Sequence, residues 1–358
     1  MNGVRVLTLS GNAQKRGMTH GKLLEKEIQK IVKEYVKGFL FKYMGGRSIV
    51  LAVAESAEAE MSKETKTELK ALAKGAGVSY ESILILNAHV DSMALACSTI
   101  AVSAKAVADK KPLLARNLDW PAPAGLNDMA VLTIVRPAEG NAYANFTFPG
   151  FIGILTGLNS TGLSVSMNVS STKDGSRLCL PTPLLLRQAL HQSSTVDTFV
   201  SHLKKAKRCS GFIITALDKQ GNGRAIEFTA GQAALRKPDH EVLLSTNHFR
   251  LKTMQKLQSG STKNSKNRLE ALTNSCTYME GTPLTASDLK TALHTEPVLN
   301  KKTLMSVLVS PVDAVFQVWQ RGAPKGQFAT VDIGKILSGA TPISEHTPLN
   351  PTQLRDLN

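Results

Sequence analysis

The sequence predicts an α+β fold in which antiparallel strands form two sheets face to face with helices outside. Two observations carry this. The first 95 residues show apolar side chains at helical spacing. Beyond residue 96 the pattern switches to short apolar runs separated by Gly and Asn turns, with paired helices between them. At 358 residues and 42% apolar composition the chain can bury a large core. With 5% aromatic residues, that core must rest on Leu, Val, Ile and Ala.

From Lys22 to Leu40, the spacing of Leu24, Ile28, Ile31, Val32, Tyr35, Val36 and Phe39 gives one buried helical face. Further helices are expected over Val50–Met61 and Lys63–Lys74. Gly75 and Gly77 end the latter, and Ser79 serves as the N-cap of the next. Strands are expected at Thr99–Val107, Met129–Val135, Tyr143–Phe148, Ile152–Thr156 and Leu163–Val169, with a turn at Asn159–Gly162. Helices follow at Pro183–His191 and Thr195–Lys205, then strands at Phe212–Leu217, Ala225–Thr229 and Val242–Thr246. Gln258–Lys266 reads as a mobile loop before a short helix, and strands return at Leu304–Val309 and Ala314–Trp319. The last residues, with Pro342, Pro348 and Pro351, read as a loose tail. No internal repeat is visible, and periodicity is compatible with other α+β folds as well.

The net charge of +15 attracts anions in general, but no RNA-binding or zinc-finger signature accompanies it, and a solvated basic surface is the expectation. Lys204, Lys205, Lys207 and Arg208 form one small cluster. The four cysteines, Cys97, Cys179, Cys209 and Cys276, show no C-x-x-C pair and no metal spacing, which suits a cytoplasmic protein with free thiols. Met1–Arg5 begins no signal peptide, and no run of 18 uncharged apolar residues exists, so no transmembrane helix is expected. The N-x-S/T triplets at Asn145, Asn159 and Asn168 carry little weight for a cytoplasmic chain.

Alone, Cys97 reads as an inert buried thiol. Its segment, Ala96-Cys97-Ser98-Thr99-Ile100-Ala101-Val102, is followed by Arg116-Asn117-Leu118-Asp119-Trp120. This pairing resembles the acyl-coenzyme A:isopenicillin N acyltransferase-like cysteine N-terminal-nucleophile hydrolases, relatives of bile-salt hydrolase, penicillin V acylase and acid ceramidase. Gly11, Gly17, His20 and Gly21 resemble that family's opening glycine pattern. The stretch from Gly157 through Asn159, Gly162 and Leu163 to Asn168 is similar to its hairpin with an oxyanion asparagine. Ser245-Thr246-Asn247-His248-Phe249 and Asn267-Arg268 resemble its later stretch.

The resemblance implies a four-layer αββα sandwich. It divides the chain into a helical pro-segment over 1–96 that stays docked, a catalytic part over 97–340 and a tail over 341–358. Cleavage between Ala96 and Cys97 would leave the thiol beside a free α-amine, which titrates near pH 8 and can act as the base for its own side chain. Arg116 would then favour the thiolate, Asp119 would orient the α-amine, Asn168 and Asn247 would donate to the oxyanion, and Arg268 would support the network. The substrate would be a small N-acyl amide, with acyl-coenzyme A as one acyl donor. No metal or organic cofactor is required and no nucleic acid is expected. Two departures stand out: Ala96 replaces the family's frequent glycine, and Asn264-Ser265 replaces a double serine. Ala96 keeps open an unprocessed, inactive protein that binds acyl ligands. His248 reads as structural because the α-amine already serves as base, and His20 and His89 as packing or capping residues. Cys179, Cys209 and Cys276 read as ordinary thiols.

Overall fold

Alternation along the strands sorts their side chains into layers. In the strand Ala96–Val102, Cys97, Thr99 and Ala101 face a second sheet, while Ser98, Ile100 and Val102 face helices. The computed structural model describes residues 4–340, except 122, 124, 125, 127, 128, 177, 178 and 278–280. The expected tail, 341–358, lies outside the described residues.

The strands are β1 (Arg5–Gly11), β2 (Ala96–Val102), β3 (Leu113–Asp119), β4 (Val131–Pro137), β5 (Tyr143–Thr147), β6 (Thr156–Asn159) and β7 (Leu163–Val169). They continue with β8 (Phe212–Asp218), β9 (Gly223–Phe228), β10 (Ala233–Arg236), β11 (Val242–Ser245), β12 (Thr303–Ser310), β13 (Val315–Gln320) and β14 (Ala329–Asp332). One sheet runs β1-β4-β5-β6-β7-β8-β9-β10 and the other β11-β2-β3-β12-β13-β14. All neighbours are antiparallel except β1 and β4.

Helices α1 (Ala13–Leu23), α2 (Glu25–Ile31), α3 (Phe41–Tyr43), α4 (Arg47–Ala59), α5 (Lys63–Gly75) and α6 (Tyr80–Ala88) precede β2. α7 (Thr182–Gln192) and α8 (Val196–Lys205) lie against β6, β8 and β9. After the short α9 (Lys252–Gln255), α10 (Lys263–Cys276) and α11 (Ala286–Leu293) cover β2, β3, β11 and β12, and α12 (Gly334–Ser338) closes the described chain. The result is the expected αββα sandwich, its four layers stacked as helices, sheet, sheet, helices.

Several sequence expectations shift. The long first helix breaks at Leu24 and runs over Val32–Leu40 as a π-helix. Ile152–Thr156 is not a strand; β6 begins where that run ends and includes Asn159. Lys263–Lys266 is the first turn of a 14-residue helix rather than loop. β1 was not foreseen, so residues 1–96 are not purely helical: they supply the edge strand of the eight-stranded sheet. Asn145, Asn159 and Asn168 are buried, which excludes glycosylation there in the folded chain.

The opening glycines serve a close helix crossing. A Cβ on Gly17 would lie 2.1 Å from the Glu68 carbonyl, on Gly21 2.3 Å from that of Leu72, and on Gly75 2.6 Å from that of Met18, so α1 and α5 meet backbone to backbone. Residues 1–96 also dock through polar clips. Glu68, 2% exposed, pairs with Arg16 at 2.8 Å and with Arg187 of α7 at 2.6 Å. His20 Nε2 accepts from the Gly150 amide, and the Asn87 side chain binds Gly150 O and Ile152 N.

Cys179 and Cys209 form a disulfide, correcting the expectation of ordinary thiols; residues 30 apart in sequence come together where α7 begins. Spacing could not reveal it, because the partners belong to a loop before α7 and the loop before β8. Cys276 stays a free, buried thiol, pushed up to about 12 by burial. Beside the disulfide, Asp91 accepts from Thr182 N at 2.8 Å, Thr182 Oγ1 at 2.6 Å and Ser210 Oγ at 3.3 Å. Burial raises its carboxyl to about 6, against those hydrogen bonds.

Closing a 30-residue loop predicts that a Cys179→Ser/Cys209→Ser variant loses roughly 3–4 kcal/mol in denaturant titrations; an unchanged midpoint would deny the bridge a stabilising role. Because Asp91 titrates higher folded than unfolded, its contribution is complete below pH about 4 and lost as pH rises through about 6. Asp91→Asn should flatten that part of the melting-temperature profile, and a profile identical to wild type would refute the assignment.

Candidate active site

Register brings the site together. Cys97 on β2 stands opposite Leu118 on β3, and Thr99 opposite Arg116. Arg116, fully buried, extends between the sheets: Nη1 donates to Thr156 Oγ1 at 3.0 Å, and Nη2 donates to Met167 O at 2.9 Å and to Cys97 Sγ at 3.2 Å. No carboxylate pairs with it among the described residues. Cys97 is itself fully buried.

Asn247 lies just beyond β11. Its Oδ1 accepts from Cys97 N at 2.8 Å, while Nδ2 donates to Leu95 O at 3.2 Å and Val169 O at 2.7 Å. One amide therefore straddles the Ala96–Cys97 peptide bond. Arg268, from α10, donates through Nη2 to the same Asn247 Oδ1 at 2.7 Å and through Nη1 to Cys97 O and to Ser98 Oγ. Four of the expected residues thus surround one peptide unit.

The other two stand slightly apart. Asp119 faces the helix side of β3, where Thr303 Oγ1 and Asn300 Nδ2 donate to it at 2.7 and 2.8 Å. Its backbone is paired with Ala96, and its charge acts on Cys97 and Arg268 without touching either. Asn168 bridges the sheets: its Oδ1 accepts from Thr99 Oγ1 at 2.8 Å and its Nδ2 donates to Ser245 O at 3.2 Å, with no bond to Cys97.

The electrostatics are opposed. Burial pushes the Cys97 thiol up, Arg116 beside it pulls it down, and Asp119 pushes it up again, so the net shift is upward. Burial likewise raises Asp119. His248, bonded to Ser265 Oγ at 2.7 Å, is pushed down to about 4, first by burial and then by the charges of Lys266, Arg250, Arg268 and Arg236, and is neutral near pH 7. His89 fits the packing role expected of it: Nδ1 donates to Leu86 O at 2.9 Å, so Nε2 accepts from Tyr35 Oη at 3.0 Å.

Sequence reasoning missed the supports. Ser265 Oγ accepts from Asn247 N at 2.7 Å, so α10 grips Asn247 by its main chain through Ser265 and by its side chain through Arg268. Glu227, fully buried on β9, accepts the amides of Arg250 and Leu251 and anchors the loop carrying Asn247. An isolated Glu or Ser carries no local signal of such a role. Trp120 was seen as part of a motif, but not as the wall of a small apolar cavity of 20 Å³ shared with Ile31, Tyr35, His89, Leu126 and Phe148. A much larger cleft, 890 Å³, lies elsewhere, around Arg16, Glu64, Tyr143, Arg187 and His191.

Residues 107–316 match the model of the acyl-coenzyme A:6-aminopenicillanic acid acyl-transferase family. The chain belongs to this family. The match covers Arg116, Asp119, Asn168, Asn247 and Arg268 and begins after Cys97. An uncharacterized protein of Archaeoglobus fulgidus is 24% identical over 274 residues, 67% of this chain and 46% of that protein. Protein dcd1A of Dictyostelium discoideum is 24% identical over 264 residues, 64% of this chain and 59% of that one. The chain spans about half the length of these curated relatives. Among solved structures, the Caenorhabditis elegans N-acylethanolamine-hydrolyzing acid amidase ortholog aligns at a TM-score of 0.47 and 20% identity, over 60% of this chain and 93% of that one. Penicillin V acylase from Agrobacterium tumefaciens aligns at 0.46 and 13%, over 68% and 89%.

Asn247→Ala removes the acceptor shared by Cys97 N and Arg268. Any conversion of the chain into two fragments should slow by about 10²-fold or more, followed by gel mobility over time. An unchanged rate would remove Asn247 from the machinery.

Proposed function

We propose that this chain is a self-processing cysteine amidohydrolase or N-acyltransferase that cleaves itself before Cys97 and then uses that residue on a small N-acyl amide. The observation that carries the reading is the pairing at Cys97: a buried arginine donates to its Sγ while Asn247 holds its backbone N–H, the nitrogen that cleavage would convert into an α-amine.

In processing, Sγ attacks the Ala96 carbonyl carbon and the C–N bond to Cys97 breaks, leaving a thioester at Sγ and an amine on Cys97. Water then hydrolyses the thioester and frees the Ala96 carboxylate. In turnover the α-amine takes the thiol proton, Sγ attacks the substrate carbonyl, and the proton passes to the leaving amine. Water releases the acyl group in hydrolysis; an acceptor amine releases it in transfer. Acyl-coenzyme A would enter as a thioester that acylates Sγ in the same way. Arg116 stabilises the thiolate, Asp119 orients the α-amine, and Arg268 holds Asn247 in place. Asn247 Nδ2, which donates to Leu95 O in the uncut chain, is freed to serve the oxyanion, a role worth about 3–4 kcal/mol. Asn168 is the second donor, on condition that it releases Ser245 O.

Docking of residues 1–96 through β1, Glu68 and Asp91 supports a heterodimer that survives cleavage. No helix among the described residues is long and apolar enough to cross a membrane. The Cys179–Cys209 disulfide favours an oxidising compartment over the cytoplasmic location expected from the sequence. The buried thiol, shifted upward, keeps a second reading in view: an uncleaved protein that binds acyl ligands.

Intact mass spectrometry of wild type beside Cys97→Ala decides between them. Two wild-type fragments, the second beginning at Cys97, and one chain in the variant are expected. A single uncut chain in both would overturn the self-processing reading.

A further inference from the structure

Aromatic residues make up 5% of the chain, yet Tyr35, Phe39, Phe41 and Tyr43 fall within nine residues of the π-helix and α3. Three of them form a ladder of ring contacts that starts at the active site. Trp120, next to Asp119, lies 6.3 Å from Tyr35; Tyr35 stacks on Phe39 at 5.5 Å, and Phe39 on Tyr43 at 5.3 Å. The first two rings line the apolar cavity described above. The last is in solvent. Tyr43 is 45% exposed, and Ile49, across the Gly45-Gly46 turn, is 52% exposed. Four large apolar side chains are exposed among the described residues, and two of them share this helical tip.

Basic residues lie on the tip and on the helix leading to it. Lys33, Lys37 and Lys42 are exposed and make no ion pair among the described residues, whereas Arg47 is paired with Glu81 at 2.6 Å. Glu34 is the one acidic residue between Val32 and Ile49. An apolar tip with exposed lysines on it and on the helical turns before it matches a bilayer with anionic headgroups: the apolar side chains enter the acyl boundary while the ammonium groups stay among the phosphates. A second copy of the chain would bring like charges together, which disfavours self-association through this face.

We propose that the tip formed by Phe39–Ile49 docks on an anionic lipid surface, and that the aromatic ladder leads an acyl chain from that surface toward Cys97. The first half is independent of catalysis; the second rests on the acyl-amide reading above.

The test is flotation of the full-length protein with phosphatidylcholine vesicles and with vesicles in which a third of the lipid is phosphatidylserine. Wild type should float with the anionic vesicles and not with the neutral ones. Lys37→Glu/Lys42→Glu should weaken that binding about 30-fold, and Tyr43→Ser/Ile49→Ser by about tenfold or more. The lysine variant should leave the melting temperature unchanged, because Lys37 and Lys42 are exposed, and Tyr43→Ser/Ile49→Ser should lower it only slightly, through loss of the Tyr43–Phe39 contact. Absence of wild-type binding, or equal binding by all variants, would overturn the proposal. So would a wild-type dimer that Tyr43→Ser/Ile49→Ser dissolves. Cleavage of a short, soluble N-acyl amide separates the two readings. Hydrolysis without vesicle binding removes the docking surface and leaves the enzyme; vesicle binding without hydrolysis does the reverse.

Discussion

The site is built around a guanidinium held between two sheets with no carboxylate against it. Arg116 is fully buried, its Nε has no partner, and its remaining contacts are a hydroxyl, a carbonyl and the Cys97 sulfur. A buried cation with no carboxylate in contact is costly, so its retention here points to Cys97, the group it touches that can become an anion. The surroundings are organised to tolerate it. Thr99, Ser166, Asn168, Thr215 and Ser245 form a hydrogen-bonded polar belt between the sheets, where an all-apolar interlayer would leave the charge unsolvated.

That arrangement sets opposing influences on the Cys97 thiol, with an upward net shift. Burial outweighs Arg116, and Asp119 adds to the rise. Cys97 is fully buried, and residues 89–96 run directly into it. Those residues are tied down at Asp91, at Leu95 through Asn247, and by the backbone pairing of Ala96 with Asp119. The proposed cleavage would turn residues 95 and 96 into a free chain end, where the last two of these ties can open. The same guanidinium would then face a sulfur with greater access to solvent, where its pull on the thiol meets less opposition from burial.

Legibility in the sequence followed the range of the interactions. The short apolar runs of β7, β8 and β12 and the apolar faces of α5 and α8 are local patterns, and they located much of the core. The Cys97 and Arg116 segments were legible through their resemblance to a known family; in the fold, adjacent antiparallel strands bring these two residues, 19 apart, into contact. β1 was missed because its partner β4 lies more than a hundred residues away. The Cys179–Cys209 bridge was missed for the same kind of reason: two single cysteines carry no spacing signal. Glu227 and Ser265 act on Asn247 through backbone amides, which any acceptor could satisfy, so residue type alone does not mark them.

Asn247 is where these strands of argument meet. Its amide has four polar partners in the uncut chain, two on each end, and they come from β2, from α10, from the end of β7 and from the residue before Ala96. A side chain so fully engaged is fixed in orientation, and the bonds at each end leave no ambiguity about which atom is oxygen. Cleavage after Ala96 would alter two of those four partners: Cys97 N gains protons and charge, and Leu95 O becomes part of a free chain end. Val169 O and Arg268 remain. The fixed pair keeps the amide oriented while the altered pair gives it one donor and one acceptor to use, which is the minimum needed to hold an α-amine on one side and meet an oxyanion on the other.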